Sequence, residues 1–115
     1  MVEDLVDMDA VFQALAHEAR RSMLRRLAAE SLTVGQLAEP LTMSLAAAAK
    51  HVEILVRAGL IRKTVRGRTR FCQLQPQRLL PAAEWLNFYE SYWNKSLDSL
   101  EGLFTAETNA NKESE

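Results

Sequence analysis

The stretch SLAAAAKHVEILVRAGLIRKTVRGRTR, Ser44 to Arg70, decides the fold. Ser44 can accept a hydrogen bond from an amide of a first helical turn, and Gly59 can take the left-handed conformation that ends a helix. The two together predict a helix over 45–58. At about a hundred degrees per residue, Leu45, Ala48, Val52, Leu55 and Val56 fall on one side, and Ala46, Ala47, Lys50 and Arg57 on the other. The outer side is therefore small and basic. Leu60 to Val65 and Thr69 to Leu74 are rich in β-branched, aromatic and long apolar residues, and Arg66-Gly67-Arg68 supplies the glycine that a tight hairpin needs. The hairpin carries cations at its tip.

Charge sharpens the reading. Between Lys50 and Arg70 there are seven basic residues against one acidic, Glu53, a local charge of +6, whereas the whole 115-residue chain carries −1. Positive charge gathered on one helix and one hairpin of a nearly neutral protein points to a local polyanion site. The plainer alternative is a solvated charged hairpin. The small-faced helix adjoining the basic tip favours the former.

Before this stretch, Thr33 is a good N-cap for a helix over 34–41, with Val34, Leu37, Ala38 and Leu41 on one face. Thr42-Met43-Ser44 joins it to the basic helix. Two short helices around a tight turn, followed by a hairpin, make a winged helix-turn-helix. Further upstream, a helix over 18–29 puts Met23, Leu24, Leu27 and Ala28 inward, while Arg20, Arg21, Arg25 and Arg26 decorate the rest. Those arginines could touch phosphates, or pair with Glu30 and the acidic N-terminus. A short first helix is expected over 8–15, with Met1 to Asp9 frayed.

The C-terminal third differs in kind. Gln75-Pro76 ends the wing, and Pro81 is tolerated only near a helix start, so a long final helix is expected from about Leu80 or Pro81 to Phe104. Trp85, Phe88, Tyr89, Tyr92 and Trp93 follow helical spacing, and Leu97, Leu100, Leu103 and Phe104 continue it. Six of the chain's eight aromatic residues lie here, too wide a stripe for a small domain to hide, so part of it should face another subunit. From Leu79 to Glu115 seven acidic residues outweigh two basic ones, which keeps this end away from phosphates. The last residues, 107–115, are expected to be a disordered tail. Length and 48% hydrophobic content suit a single domain over 1–106. The lone Cys72 and the lack of a secretory leader or an 18-residue apolar run lead to an expected cytoplasmic location.

Four motifs together carry a family resemblance: LAxxxRRxxL at Leu15 to Leu24, TVGQLA at Thr33 to Ala38, MSLxAxxKHVxxLxxAGLI at Met43 to Ile61, and the wing RGRTRFCQL ending at Leu74. From about Val11 to Phe104 the chain resembles the ArsR-type winged helix-turn-helix transcriptional repressors. The expected architecture is mostly α with a small β-hairpin, in the order α-α-α-α-β-β-α, dimerising through the terminal helices. The resemblance implies a homodimer that binds double-stranded DNA at an inverted-repeat operator through two recognition helices and two wings. On that reading Ser44, Ala46, Ala47, Lys50 and His51 face the groove, with Arg57 on the same basic face. Arg66, Arg68 and Arg70 of the wing hold the backbone or reach the minor groove. Phe12, Trp85, Phe88, Tyr89, Tyr92, Trp93, Leu97 and Leu100 are the expected dimer contacts.

Two positions depart from the family pattern. Ala46 stands where many relatives have proline, and Ala49 where many have a serine before Lys50-His51, so a hydroxyl that could meet DNA is replaced by a methyl. The family's thiolate metal sensors carry a CxC pair where this chain has Thr33-Val34-Gly35-Gln36-Leu37. Its other metal sensors use histidine in a last helix, and Pro81 to Phe104 holds none. His17, His51 and Cys72 are the only soft ligands, so no metal or other cofactor is expected. Strand alternation sets Cys72 opposite Phe71, leaving it partly exposed and open to a redox role. A metal- or redox-responsive repressor and a protein-binding winged helix remain the alternatives. An enzyme is not expected, because no nucleophile with base and orienter and no phosphate loop is recognisable.

Overall fold

The computed structural model describes the backbone of residues 2–114 and the side chains of residues 8–103. The chain divides into two units, Met1–Ala82 and Ala83–Glu115. The first runs through α1 (Val2–Leu15), α2 (Glu18–Leu27), α3 (Val34–Ala38) with a 3-10 turn at Glu39–Leu41, α4 (Leu45–Arg57), β1 (Ile61–Arg66) and β2 (Thr69–Leu74). A second 3-10 turn, Pro76–Leu79, leads into α5 (Leu80–Asn87). The expected winged helix-turn-helix is present. The first helix, expected over 8–15, begins instead at Val2, so the backbone expected to fray is helical from there.

Side chains start the three helices of the motif. The Ala19 amide donates to His17 Nδ1 at 3.1 Å, the Gln36 amide to Thr33 Oγ1 at 3.1 Å, and the Ala47 amide to Ser44 Oγ at 3.1 Å. Gln36 Oε1 in turn accepts from the Thr33 amide at 2.8 Å, closing a capping box. Each cap satisfies an amide that the helix itself leaves without a partner. The predicted helix over 34–41 is shorter as α-helix because Pro40 lacks an amide hydrogen, and the chain tightens to a 3-10 turn instead. Thr42 then reverses the chain at φ +51°.

At the far end of α4, the Leu60 amide donates to the Leu55 carbonyl at 3.0 Å and the Gly59 amide to Val56 at 2.9 Å, with Gly59 at φ +79°. This is a Schellman motif, and it aims the chain straight into β1. Met23, Leu37, Val52, Leu55, Leu60, Ile61 and Cys72 are the largest fully buried side chains, so the core lies where α2, α3 and α4 meet the base of the hairpin. Leu45, expected inward, is instead 62% exposed. Helical side chains lean toward the N-terminus, and in the first turn Leu45 overhangs the end of the core.

The hairpin register, from Ile61↔Leu74 to Arg66↔Thr69, leaves Gly67 and Arg68 as a two-residue turn. Gly67 has φ +64° and Arg68 does not enter positive φ, as a type II′ turn requires. Leu32 and Cys72 exchange backbone hydrogen bonds of 3.1 and 2.7 Å, tying the wing's base to the segment between α2 and α3. Ile61, Leu74 and Cys72 share the face turned to the helices, so the expectation of a partly exposed Cys72 is corrected: it is fully buried. Alternation did separate Cys72 from Phe71, but the apolar pair at the hairpin base chose which of them went inside. Burial pushes the Cys72 thiol up, against a smaller pull from Lys63, so it stays a protonated core side chain.

In the second unit the expected unbroken helix is interrupted. α5 ends at Asn87 and α6 (Glu90–Ser114) follows a turn at Phe88 and Tyr89. There the Tyr89 amide reaches back three residues to the Leu86 carbonyl at 3.0 Å, and the helical pattern resumes with Trp93 to Tyr89 at 2.9 Å. No proline or glycine marks the break. The Tyr89 ring is met edge-on by Phe88 at 4.9 Å and by Trp85 at 5.3 Å, a packing that accompanies the turn. The expectation of a disordered tail over 107–115 concerns residues whose side chains are not described.

Candidate nucleic-acid interface

With Ala48, Val52 and Leu55 buried, the opposite face of α4 carries Ala46, Ala49, Lys50, Glu53 and Arg57, all exposed. Two alanines at the start of this face leave a shallow strip that another surface can approach closely. Lys50 follows one turn later. Ala49 and Glu53 belong to this face although they were not among the expected contact residues; the helical wheel that placed Ala46 and Lys50 would also have found them. Glu53 sits among the cations, 3.5 Å from Arg57 and 4.0 Å from Lys63. These are exposed pairs, easily exchanged for other partners. Ser44 is spent on the cap, and Ala47 is half-buried on the flank of the helix rather than at its outermost line.

His51 also lies on that flank. Arg20 Nη1 stands 3.1 Å from His51 Nδ1, and the His17 ring is 4.5 Å away, centre to centre. A guanidinium can only donate, so His51 Nδ1 accepts and the imidazole is neutral with its proton on Nε2. Burial first, then the charges of His17 and Arg20, hold the His51 pKa below its ordinary value. Arg20 reaches the end of α1 as well, donating to the carbonyls of Ala14 at 2.7 Å and Gln13 at 3.1 Å. Arg21 donates to Leu15 at 2.8 Å, and Arg26 to Gln36 at 2.9 Å. Three of the four α2 arginines thus bind helix-end carbonyls, a role that neither sequence alternative named. They hold α1 and α3 around α4.

On the wing, Arg66, Arg68 and Arg70 are exposed but diverge. Arg68 occupies the turn, Arg70 pairs across the hairpin with Val65, and Arg66 shares the opposite face with Thr64, Thr69 and Phe71. Arg66 lies over the Phe71 ring, 5.6 Å from its centre. α4 and the hairpin are joined through Gly59 and Leu60, so the small basic strip and the cationic tip are held by one continuous, capped segment.

The other expected residues fall elsewhere. Phe12 is half-buried against its own core. Trp85, Phe88, Tyr89, Tyr92, Trp93, Leu97 and Leu100 are exposed on the second unit, Phe88 at 78% and Tyr92 at 66%. Among the described residues no group of three His, Cys, Asp or Glu side chains gathers to hold a metal. The donor chemistry does not suit one either, since both histidine Nδ1 atoms accept protein hydrogen bonds and Cys72 is buried. No helix among them is long and apolar enough to cross a membrane.

Comparison with known proteins agrees with this geometry. Residues 15–64, from the end of α1 into the first wing strand, match a helix-turn-helix domain family. The chain is 33% identical over 99 residues to the HTH-type transcriptional regulator Rv2034 of Mycobacterium tuberculosis, covering 86% of this chain and 90% of that protein. The crystal structure of an ArsR family transcriptional regulator, RHA00566, superposes with a TM-score of 0.68 at 34% identity, covering 76% of this chain and 97% of the other. An ArsR-like transcriptional regulator from Rhodococcus sp. RHA1 superposes at 0.66 with 26% identity, over 86% of this chain and 93% of the other.

Proposed function

The chain belongs to the ArsR family of helix-turn-helix transcriptional regulators, DNA-binding proteins rather than enzymes, and from that premise we propose that it is a homodimeric, metal-independent repressor. It occupies an inverted-repeat operator in the cytoplasm. Two α4 helices enter successive major grooves about 34 Å apart, and the wings lie along the flanking backbone. Ala46, Ala49 and Lys50 line the groove side, with Ser44 and Ala47 at its edge. Arg68 and its neighbours Arg66 and Arg70 meet phosphates. Arg57 is shared between Glu53 and the backbone. His51 supports the helix from behind rather than reading bases.

The observation that carries this reading is the exposed strip of alanines and Lys50 on α4, joined through the Gly59 cap to a hairpin tipped by arginines. The dimer reading is supported by the exposed aromatic side chains of the second unit, which have the size and chemistry of a subunit contact. Metal independence is supported by the occupied histidine nitrogens and the buried thiol.

The test is titration of the purified protein onto a fluorescent duplex from its own upstream region, over a salt series, against a scrambled duplex. Tighter binding to the upstream sequence is expected, unaffected by zinc, copper or arsenite. Arg68→Ala should weaken binding to both duplexes and flatten the dependence of log K on log salt by about 0.9 per site. Equal affinity for the two sequences would refute an operator, and an unchanged slope would remove Arg68 from the contacts.

A further inference from the structure

Three wing arginines look equivalent in the sequence, yet only one of them has a surface to rest on. Arg66 and Phe71 lie diagonally on the same face of the hairpin, since Thr64 pairs with Phe71 and Arg66 with Thr69. At 5.6 Å from guanidinium carbon to ring centre, the pair is within cation–π range. Among the described residues neither Arg68 nor Arg70 meets a ring or a carboxylate. We propose that Phe71 is a positioning residue for DNA binding, holding Arg66 as the wing's preorganised phosphate contact; the inference rests on the DNA-binding reading above.

The chemistry favours this division of labour. A cation–π contact uses the flat face of the guanidinium and leaves its in-plane N–H groups free to donate, two at a time, to a phosphate. Phe71 is half-buried and three residues from the hairpin base at Leu74, so it limits the rotamers Arg66 can visit before DNA arrives. An arginine confined in advance loses less freedom on binding than Arg68 in the turn. A phenylalanine at this place needs no DNA contact of its own to matter.

The experiment uses the full chain and the upstream duplex, with wild type, Phe71→Leu, Phe71→Tyr, Arg66→Ala and the Phe71→Leu, Arg66→Ala double variant. Arg66→Ala should lower the salt slope by about 0.9 per site. Phe71→Leu, which keeps an apolar side chain but loses the ring, should weaken binding about two- to fivefold, and Phe71→Tyr should restore it. In the Arg66→Ala background Phe71→Leu should have no further effect. A ring-current upfield shift of the Arg66 side-chain protons in the free wild-type protein, read by NMR, supports the contact whether or not the leucine variant folds. Absence of that shift, or equal weakening by Phe71→Leu with and without Arg66, overturns the proposal and leaves Phe71 a wing-packing residue. A wild-type protein that binds neither duplex would instead bring down the DNA-binding reading, and this inference with it.

Discussion

His51 joins α4 to Arg20 of α2, and it does so only when neutral. Its Nδ1 accepts from Arg20, and both Arg20 and His17 oppose a proton there. The folded-state pKa lies below the unfolded value of about 6.5, so the unfolded chain takes up the proton first. This contribution to stability is complete above about pH 6.5 and is lost as pH falls through that value toward the folded one. Thermal unfolding at pH 7.5 and 5.5 should show a larger drop for wild type than for His51→Asn, which keeps an acceptor and cannot titrate. A second residue hides a cost of its own: Thr64 Oγ1 is buried without a partner among the described residues. Thr64→Val keeps the shape and removes the orphan, and should raise stability in urea unfolding by about 1 kcal/mol. At this scale the sequence was legible for Lys50 and Arg68, whose exposure follows from charge. It was not legible for His51 or Cys72, because alternation and helical phase leave open which neighbour claims a side chain.

Elements were easier to read because each boundary has a local chemical cause. Ser44, Thr33 and Gly59 mark the ends of α3 and α4 by their own side chains or lack of one, and the structure keeps all three roles. Gly59→Ala should cost about 1 to 2 kcal/mol from the left-handed backbone alone. The added Cβ would also stand 3.3 Å from Arg78 Cδ and Nε, so the loss read by urea unfolding should fall at or above that range. Pro40 shortens α3 for an equally local reason. The α2 arginines were opaque, since their partners are carbonyls at the ends of α1 and α3, which become neighbours only after folding. The break at Phe88 and Tyr89 was equally hidden, with aromatic packing in place of a helix-breaking residue.

For the molecule as a whole, length, single-core hydrophobic content and the four spaced motifs sufficed for the winged helix-turn-helix and its family. The proposed pairing of copies rests in the sequence on an excess of aromatic residues in the last third of the chain. Trp93, 55% exposed on α6, is one of them. Trp93→Glu should yield monomers by sedimentation and weaken binding to the upstream duplex by about a hundredfold or more, as the two half-sites stop acting together. A variant that stays dimeric would move the interface elsewhere.

The backbone bridge between Leu32 and Cys72 mounts the hairpin like a cantilever, clamped at its root. Beyond Lys63 every residue of the hairpin except Thr64 and Phe71 is open to solvent. On the proposed docking, the arginine-bearing end is the part that meets the duplex, and the clamp anchors its root to the segment that leads into α3.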